Sequence, residues 1–155
     1  MAEDVNWLST DELTTWRAYL ASHGHLMRAL DQQLQRDSGI GHADYAILAM
    51  LADGAPESTA VTVLADRLDH SQSRTSHAVA RLERRGLVAR RPDDSDRRIV
   101  NVRLTDAGTE VLRSAAPGHV RSVREYLFDA VSPTQAKALQ EVCLAMLERL
   151  GRPEP

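Results

Sequence analysis

SQSRTSHAVARLERRGLVARRPDDSDRRIVNVRLT, residues 71–105, is the stretch that decides the reading of this chain. It holds Arg74, Arg81, Arg84, Arg85, Arg90, Arg91, Arg97, Arg98 and Arg103, nine of the eighteen arginines in the sequence. Only Glu83, Asp93, Asp94 and Asp96 oppose them, so the stretch carries a formal +5 and the rest of the chain −8. A protein with a net charge of only −3 has gathered its positive charge in one place. That asymmetry points to a polyanionic partner, with the remaining residues presenting the segment.

The pattern inside the stretch changes partway. Thr75, Ala78, Val79 and Leu82 recur at helical spacing, which predicts a helix over 71–85 with Gly86 as its C′ residue. Arg74, His77, Arg81 and Arg84 fall on the opposite face, with Ser73 and Ser76 beside them. A basic hairpin follows: a strand over 87–91, a turn-rich tip at 92–96, and a return over 99–104 in which Val100, Val102 and Leu104 alternate with Asn101 and Arg103.

Upstream, Val61, Leu64, Ala65 and Leu68 predict a short amphipathic helix over 61–69, with Thr62 able to cap it. The segment 57–60 is a polar connection ending in β-capable residues. Another helix opens at His42-Ala43-Asp44, carries Tyr45, Leu48 and Leu51 on one face, and stops at 53–56. Before it, Ser9 and Glu12 form a capping box, and Leu13, Trp16, Leu20, His23, Met27, Leu30 and Leu34 make a heptad stripe ending near Ser38-Gly39. A helix of about 27 residues is ~40 Å long. So small a domain cannot cover it alone, which suggests a second subunit. Downstream, Thr105 caps a helix bearing Val111, Leu112, Ala115, Val120, Val123 and Leu127, and Pro117-Gly118 is expected to kink or interrupt it. Ser132-Pro133 with Gln135 starts a last helix striped by Ala136, Leu139, Cys143, Met146 and Leu150.

At 155 residues, 43% hydrophobic and 26% charged, the chain has the size and composition of one soluble globular domain. The acidic start MAEDVNWLSTDEL is unlike a signal peptide, and no apolar run reaches the ~20 residues of a membrane span. The expected location is the cytoplasm, with no membrane partner. The single cysteine excludes an internal disulfide.

Two short helices joined by a tight turn and followed by a basic ribbon describe a winged helix-turn-helix. The fold class expected is mainly α with a small β-wing, flanked by N- and C-terminal dimerisation helices. A major groove ~12 Å wide admits one helix. Helix 61–69 would buttress helix 71–85, whose N-terminal Ser71, Ser73 and Ser76 allow close approach to DNA. Arg74 can fork onto guanine, His77 can donate to a base edge, and Arg81 and Arg84 suit phosphates. Arg90, Arg97 and Arg98 belong to the ribbon, whose tip can enter the minor groove. The competing reading is a solvated charged helix followed by an exposed hairpin.

The residues VARLERRGLV (79–88), Asp96-Arg97-Arg98, LTDAG (104–108) and LADRL (64–68) together resemble the multiple-antibiotic-resistance regulator (MarR) family. The resemblance is detailed over about 60–108. It implies a homodimeric winged-helix transcriptional regulator of double-stranded DNA, with recognition helix 71–85 in the major groove and wing 88–103 on the minor groove and backbone. The acid of the Asp96–Arg98 pair would aim the arginine at DNA. It implies a single domain over 1–155, a DNA-binding lobe over 42–104, and dimerisation helices over 9–38 and 106–150. Repression of a pseudo-palindromic operator is the expected outcome.

Many relatives release DNA when a small aromatic or anionic effector binds between the dimer helices and the lobe. Trp16, His23, Met27, Tyr45, Leu48 and Val111 are the candidates here, although a Met and aromatic stripe at helical spacing is usually core. The six histidines lack metal-ligand spacing, so no metal and no cofactor are expected. Cys143, on an apolar stripe, reads as a buried, inert thiol. Phosphate-cradling glycine loops, a nucleophile elbow and paired carboxylates are absent from the sequence, so no enzyme is expected. A winged-helix module that binds protein, and a constitutive DNA regulator without an effector, stay open as alternatives.

Overall fold

The computed structural model describes residues 5–53, 58–93 and 95–152. Helix α1 (Thr10–Ser38) is followed by α2 (His42–Asp53), strand β1 (Thr59–Ala60), α3 (Val61–Arg67), α4 (Gln72–Arg84), β2 (Val88–Pro92), β3 (Val100–Leu104), α5 (Asp106–Tyr126), a 3₁₀ turn (Phe128–Ala130) and α6 (Pro133–Arg149). The fold is mainly helical with one small antiparallel sheet, in the winged helix-turn-helix arrangement expected.

Local chemistry sets the long helices. The Ser9–Glu12 capping box forms in both directions, and α1 ends where Gly39 turns left-handed at φ 64°. Ser132 and Gln135 cap α6 in the same reciprocal way, with Pro133 in its first turn. Helix α4 is capped by Ser71, whose hydroxyl accepts from the Arg74 N–H at 3.2 Å. Gly86, at φ 73°, then turns the chain into β2.

The core lies between α2, α3, α4 and the sheet. Ile40, Ile47, Leu48, Leu64, Val79, Leu82 and Val102 are wholly inaccessible. Each such side chain is worth roughly 1.5–3 kcal/mol of burial. Thr75, Ala78, Val79 and Leu82 form the inner face of α4, as their spacing predicts. The alternation over 99–104 also holds in its centre: Val102 is fully buried and Arg103 exposed.

Several expectations needed correction. The ribbon has three strands, in the order β1-β3-β2, because Thr59 and Ala60 pair with Val102 and Asn101. Thr62 does not cap α3: Ala60 occupies the N-cap position without a side-chain bond, and Thr62 lies inside the helix. Pro117-Gly118 does not interrupt α5, which runs unbroken through both residues. Gly118 instead faces α1: a Cβ there would lie 2.9 Å from Gln33 Nε2 and 3.1 Å from Asp37 Oδ2. The glycine sits inside a continuous helix against the side-chain ends of α1, where a sequence pattern reads a break. Cys143 is exposed, not buried, because no residue of α6 is buried within the single chain. The expected stop at 53–56 and the start of the connection at 57 lie partly outside the described residues, as does Asp94.

Gly108 is fixed by packing. A Cβ at this position would lie 1.9 Å from the Leu87 carbonyl oxygen. The same oxygen accepts from the Thr105 N–H at 3.2 Å, while Thr105 Oγ1 donates to the Gly86 carbonyl at 2.7 Å and accepts from the Gly108 N–H at 3.0 Å. The run Leu104-Thr105-Asp106-Ala107-Gly108 is therefore a knot that ties the start of α5 to the turn between α4 and β2.

Candidate nucleic-acid interface

Helix α4 presents Gln72, Ser73, Arg74, Ser76, His77, Arg81 and Arg84 on its accessible side. Its inner face is apolar and committed to the core, so these side chains have no alternative but to face outward. The expected residues are thus brought together, but they do not all have the same freedom. Ser71 is engaged as the cap. Arg84 Nε donates to the Ala80 carbonyl at 3.4 Å, a contact within its own helix.

Arg81 and Arg90 are held by acids. Arg81 grips Asp44 of α2 through Nε at 3.3 Å and through an ion pair from Nη2. Asp44 is only 6% exposed in its side chain, against 47% for Arg81. Hydrogen bonding to the carboxylate makes the Arg81 guanidinium hold its proton more firmly. Arg90 Nε donates to Glu83 Oε2 at 2.8 Å, and the Arg90 backbone N–H donates to Glu83 Oε1 at 3.3 Å. Those bonds push the Glu83 carboxyl below its usual range and couple β2 to α4. Arg81, expected at phosphates, therefore has an internal partner, and Arg90 does too.

The wing is organised by two carboxylates. Asp93 accepts from the Ser95 N–H at 2.9 Å, the Asp96 N–H at 3.3 Å and Asn101 Nδ2 at 2.8 Å, and also from the Ser95 hydroxyl. These donors hold its pKa at about 2, the Ser95 hydroxyl contributing most. Asp96 receives Arg98 in a fork, with Nε at 3.0 Å from Oδ1 and Nη2 at 2.9 Å from Oδ2. The Arg98 backbone N–H donates to the same carboxylate at 3.0 Å. Arg98 remains 91% exposed, so the acid aims the guanidinium without covering it. Arg97, beside it, is exposed and makes no hydrogen bond or ion pair among the described residues.

Between the α3–α4 corner and the wing lies a depression of about 230 Å³, lined by Thr62, Gln72, Ser76, Arg90, Arg98 and Ile99 among others. Thr62 and Gln72 were not singled out in the sequence as part of the interface, because uncharged polar residues at helix starts read as caps or solvated positions. Asp44 was also missed. Its signal was there, as the only charged residue between His42 and Asp53 in an otherwise apolar helix.

The six effector candidates are not gathered into one cavity of the single chain. Leu48 is core, and Val111 packs against the core. Trp16 and His23 lie on the exposed part of α1, each stacked on Tyr19 at 6.0 and 6.2 Å. Met27 is half-buried further along that helix. Tyr45 instead meets His119 of α5 at 4.5 Å, with His42 5.8 Å from His119. Burial is the main cause that lowers the pKa of both histidines. The charge of His42 lowers His119 further, while Asp31 partly restores His42. Among the described residues, no three of His, Cys, Asp or Glu converge on a metal position, and no helix is long and apolar enough to cross a membrane.

A helix-turn-helix followed by an arginine-tipped three-stranded wing defines a winged-helix protein. Comparisons with known proteins narrow the class. The MarR family profile matches residues 38–99. Sco3205 of Streptomyces coelicolor, a MarR family transcriptional regulator solved in complex with DNA, is 42% identical, covers 96% of this chain and 92% of its own, and superposes with a TM-score of 0.92. AbsC, a MarR family regulator of the same organism, is 34% identical over 94% of this chain and 98% of its own, with a TM-score of 0.88. The transcriptional repressor MprA of Escherichia coli K12 is 28% identical over 122 residues, 79% of this chain and 69% of that protein. The chain belongs to the MarR family, whose members named here are transcriptional regulators and not enzymes.

Proposed function

We propose that this protein is a sequence-specific regulator of transcription that binds a pseudo-palindromic DNA operator as a homodimer and represses the adjoining gene. The observation that carries the reading is the shared side of α4 and the wing. Ser73, Arg74, Ser76 and His77 are exposed along one helix, and Arg98 is aimed by Asp96 at the ribbon's tip. Helix and tip suit a major groove and the adjacent minor groove. Sco3205, so similar in sequence and shape, was solved with DNA. Repression follows the name of MprA.

The dimer is favoured by what one chain leaves uncovered. Trp16 is 47% exposed and Leu150 69% exposed, with Leu20, Val120, Phe128, Leu139 and Met146 exposed beside them on α1, α5, the 3₁₀ turn and α6. A second subunit covering these helices would set two copies of α4 about one helical turn apart, ~34–36 Å. DNA as the partner favours the cytoplasm as the location. We read residues 1–155 as one domain, with the DNA-binding lobe at 42–104. Effector release is a second reading, favoured by one feature: His119 Nδ1 is buried without a hydrogen-bond partner beside Tyr45.

The test is selection of genomic fragments by the purified protein, followed by footprinting of the recovered site. A two-fold footprint is expected, and Arg74→Ala and Arg98→Ala should each lose it while remaining folded dimers. Retention of the footprint by both variants, or a protein that selects no fragment, overturns the proposal.

A further inference from the structure

The Arg81–Asp44 pair differs from an ordinary surface contact. A carboxylate that is 6% exposed needs a partner, because an unpaired buried charge is costly. Arg81 supplies one with a two-pronged, directional fork across 37 residues of sequence. Glu83, on another side of α4, is held by Arg90 of β2, and the rest of the inner face is a packed, mostly apolar surface. Thr75, Ala78, Val79 and Leu82 bury well, but apolar contact is non-directional and tolerates small rotations or slides. The fork does not. Arg81 also lies one turn beyond His77 on the same side of the helix, so its restraint acts close to the exposed face.

The other end of the fork is anchored as well. Asp44 is in the first turn of α2. The His42 N–H of that turn donates to Asp31 Oδ1 of α1 at 2.8 Å. Tyr45, next to Asp44, packs its ring 4.5 Å from His119 of α5. One turn of α2 therefore touches α1, α5 and, through Asp44, the recognition helix.

We infer that Asp44 is a positioning residue for the recognition helix: through Arg81 it fixes the rotation and axial setting of α4 against the α1–α2–α5 scaffold, and so the spacing between the two reading helices of a dimer. Arg81 serves as the helix's tether and not as a phosphate contact. The inference rests on the DNA-binding reading above.

The experiment compares wild type, Asp44→Asn, Arg81→Ala and the double variant on the duplex selected by wild type, on versions with half-site spacing changed by one base pair, and on a random-sequence duplex. Each single variant should lose about tenfold affinity for the native spacing, and the double variant no more than either, the non-additivity of two groups in one contact. Discrimination between spacings should flatten, while affinity for random DNA stays within about twofold. General destabilisation would lower all three affinities together. If Arg81→Ala loses binding to every duplex and Asp44→Asn keeps or gains it, Arg81 contacts DNA itself and the inference fails. Unchanged spacing preference in both variants also overturns it. Hydrogen exchange on the DNA-free protein separates this from failure of the DNA reading. Amides of residues 76–84 should lose protection in Asp44→Asn while those of α5 do not, whether or not the wild type selects any fragment. Equal protection there refutes the tether.

Discussion

Gly108→Ala is the substitution whose effect the structure and helix propensity predict with opposite signs. Alanine within a helix is ordinarily favoured over glycine by about 1 kcal/mol. Here the added Cβ would fall 1.9 Å from the Leu87 carbonyl oxygen, 2.9 Å from its carbon and 3.1 Å from Leu104 Cδ2. Relief requires the two backbones to separate by at least about 1 Å, a small-to-large strain that costs roughly 1–3 kcal/mol. Leu87 cannot give freely. Its N–H donates to the Leu82 carbonyl at 3.0 Å, its oxygen accepts from Thr105, and the next residue is registered against Leu104 in the sheet. Losing the Thr105 bond adds about 1 kcal/mol.

The net expectation is a destabilisation of roughly 1–3 kcal/mol, or a fall in Tm of about 3–10 °C for a chain of this size. Thermal unfolding by circular dichroism, at equal subunit concentration for both proteins, measures it. Gly118→Ala is the internal control. Its Cβ would meet side-chain ends alone, those of Gln33, Asp37 and, at 3.8 Å, Arg121, so its cost should fall within about 1 kcal/mol of zero. A Gly108→Ala variant as stable as wild type, or more stable, would show that the α5 start is not tied to Leu87 as described.

Asp93 should titrate with a midpoint of about 2, followed by carboxyl carbon NMR. Because the folded value is depressed, the order that this carboxylate gives the wing tip should be intact above about pH 4 and be lost as the pH falls through 2; a midpoint near 4 refutes the hydrogen-bond set. His42 and His119 are both depressed by burial, so the unfolded chain binds more protons just below pH 6.5. Stability should therefore decline as the pH falls from about 6.5, and His119→Gln should blunt the decline in urea titrations; an unaltered pH profile in that variant excludes His119 as a source.

Much of the fold was legible because its signals are local. Capping boxes at Ser9 and Ser132, the C′ glycine at Gly86 and the 3.6-residue periodicity of α4 each act within one helical turn. β1 was harder, because two residues carry no periodicity and Thr59 and Ala60 become a strand only when β3 is alongside. Gly118 was misread for a related reason: a glycine beside a proline looks like a break until the opposing helix is seen. At the candidate interface, the sequence marked the arginines but could not show which acids hold them. Asp44 is 37 residues from Arg81, and Glu83 lies across a turn from Arg90. Pairings at that range come from tertiary packing, not from composition.

Those pairings also change what a formal charge of +5 means. Glu83 and Asp96 do not simply neutralise the stretch; they fix the direction of Arg90 and Arg98. Arg81 is tethered to an acid outside it. Of the arginines that the sequence singles out for DNA, this leaves Arg74, Arg84, Arg97 and the aimed Arg98. If these four alone reach phosphates, one each, a dimer makes eight such contacts, and log K against log salt should have a slope of about −7 on the operator. Arg97→Ala should make that slope shallower by about 2, one contact per subunit. Arg81→Ala should weaken operator binding with the slope unchanged, because a tether releases no counterions. Fluorescence anisotropy across a salt series reads both. A slope well beyond −7, or a shallower slope in Arg81→Ala, would mean that the acid-paired arginines let go of their partners and turn to the DNA.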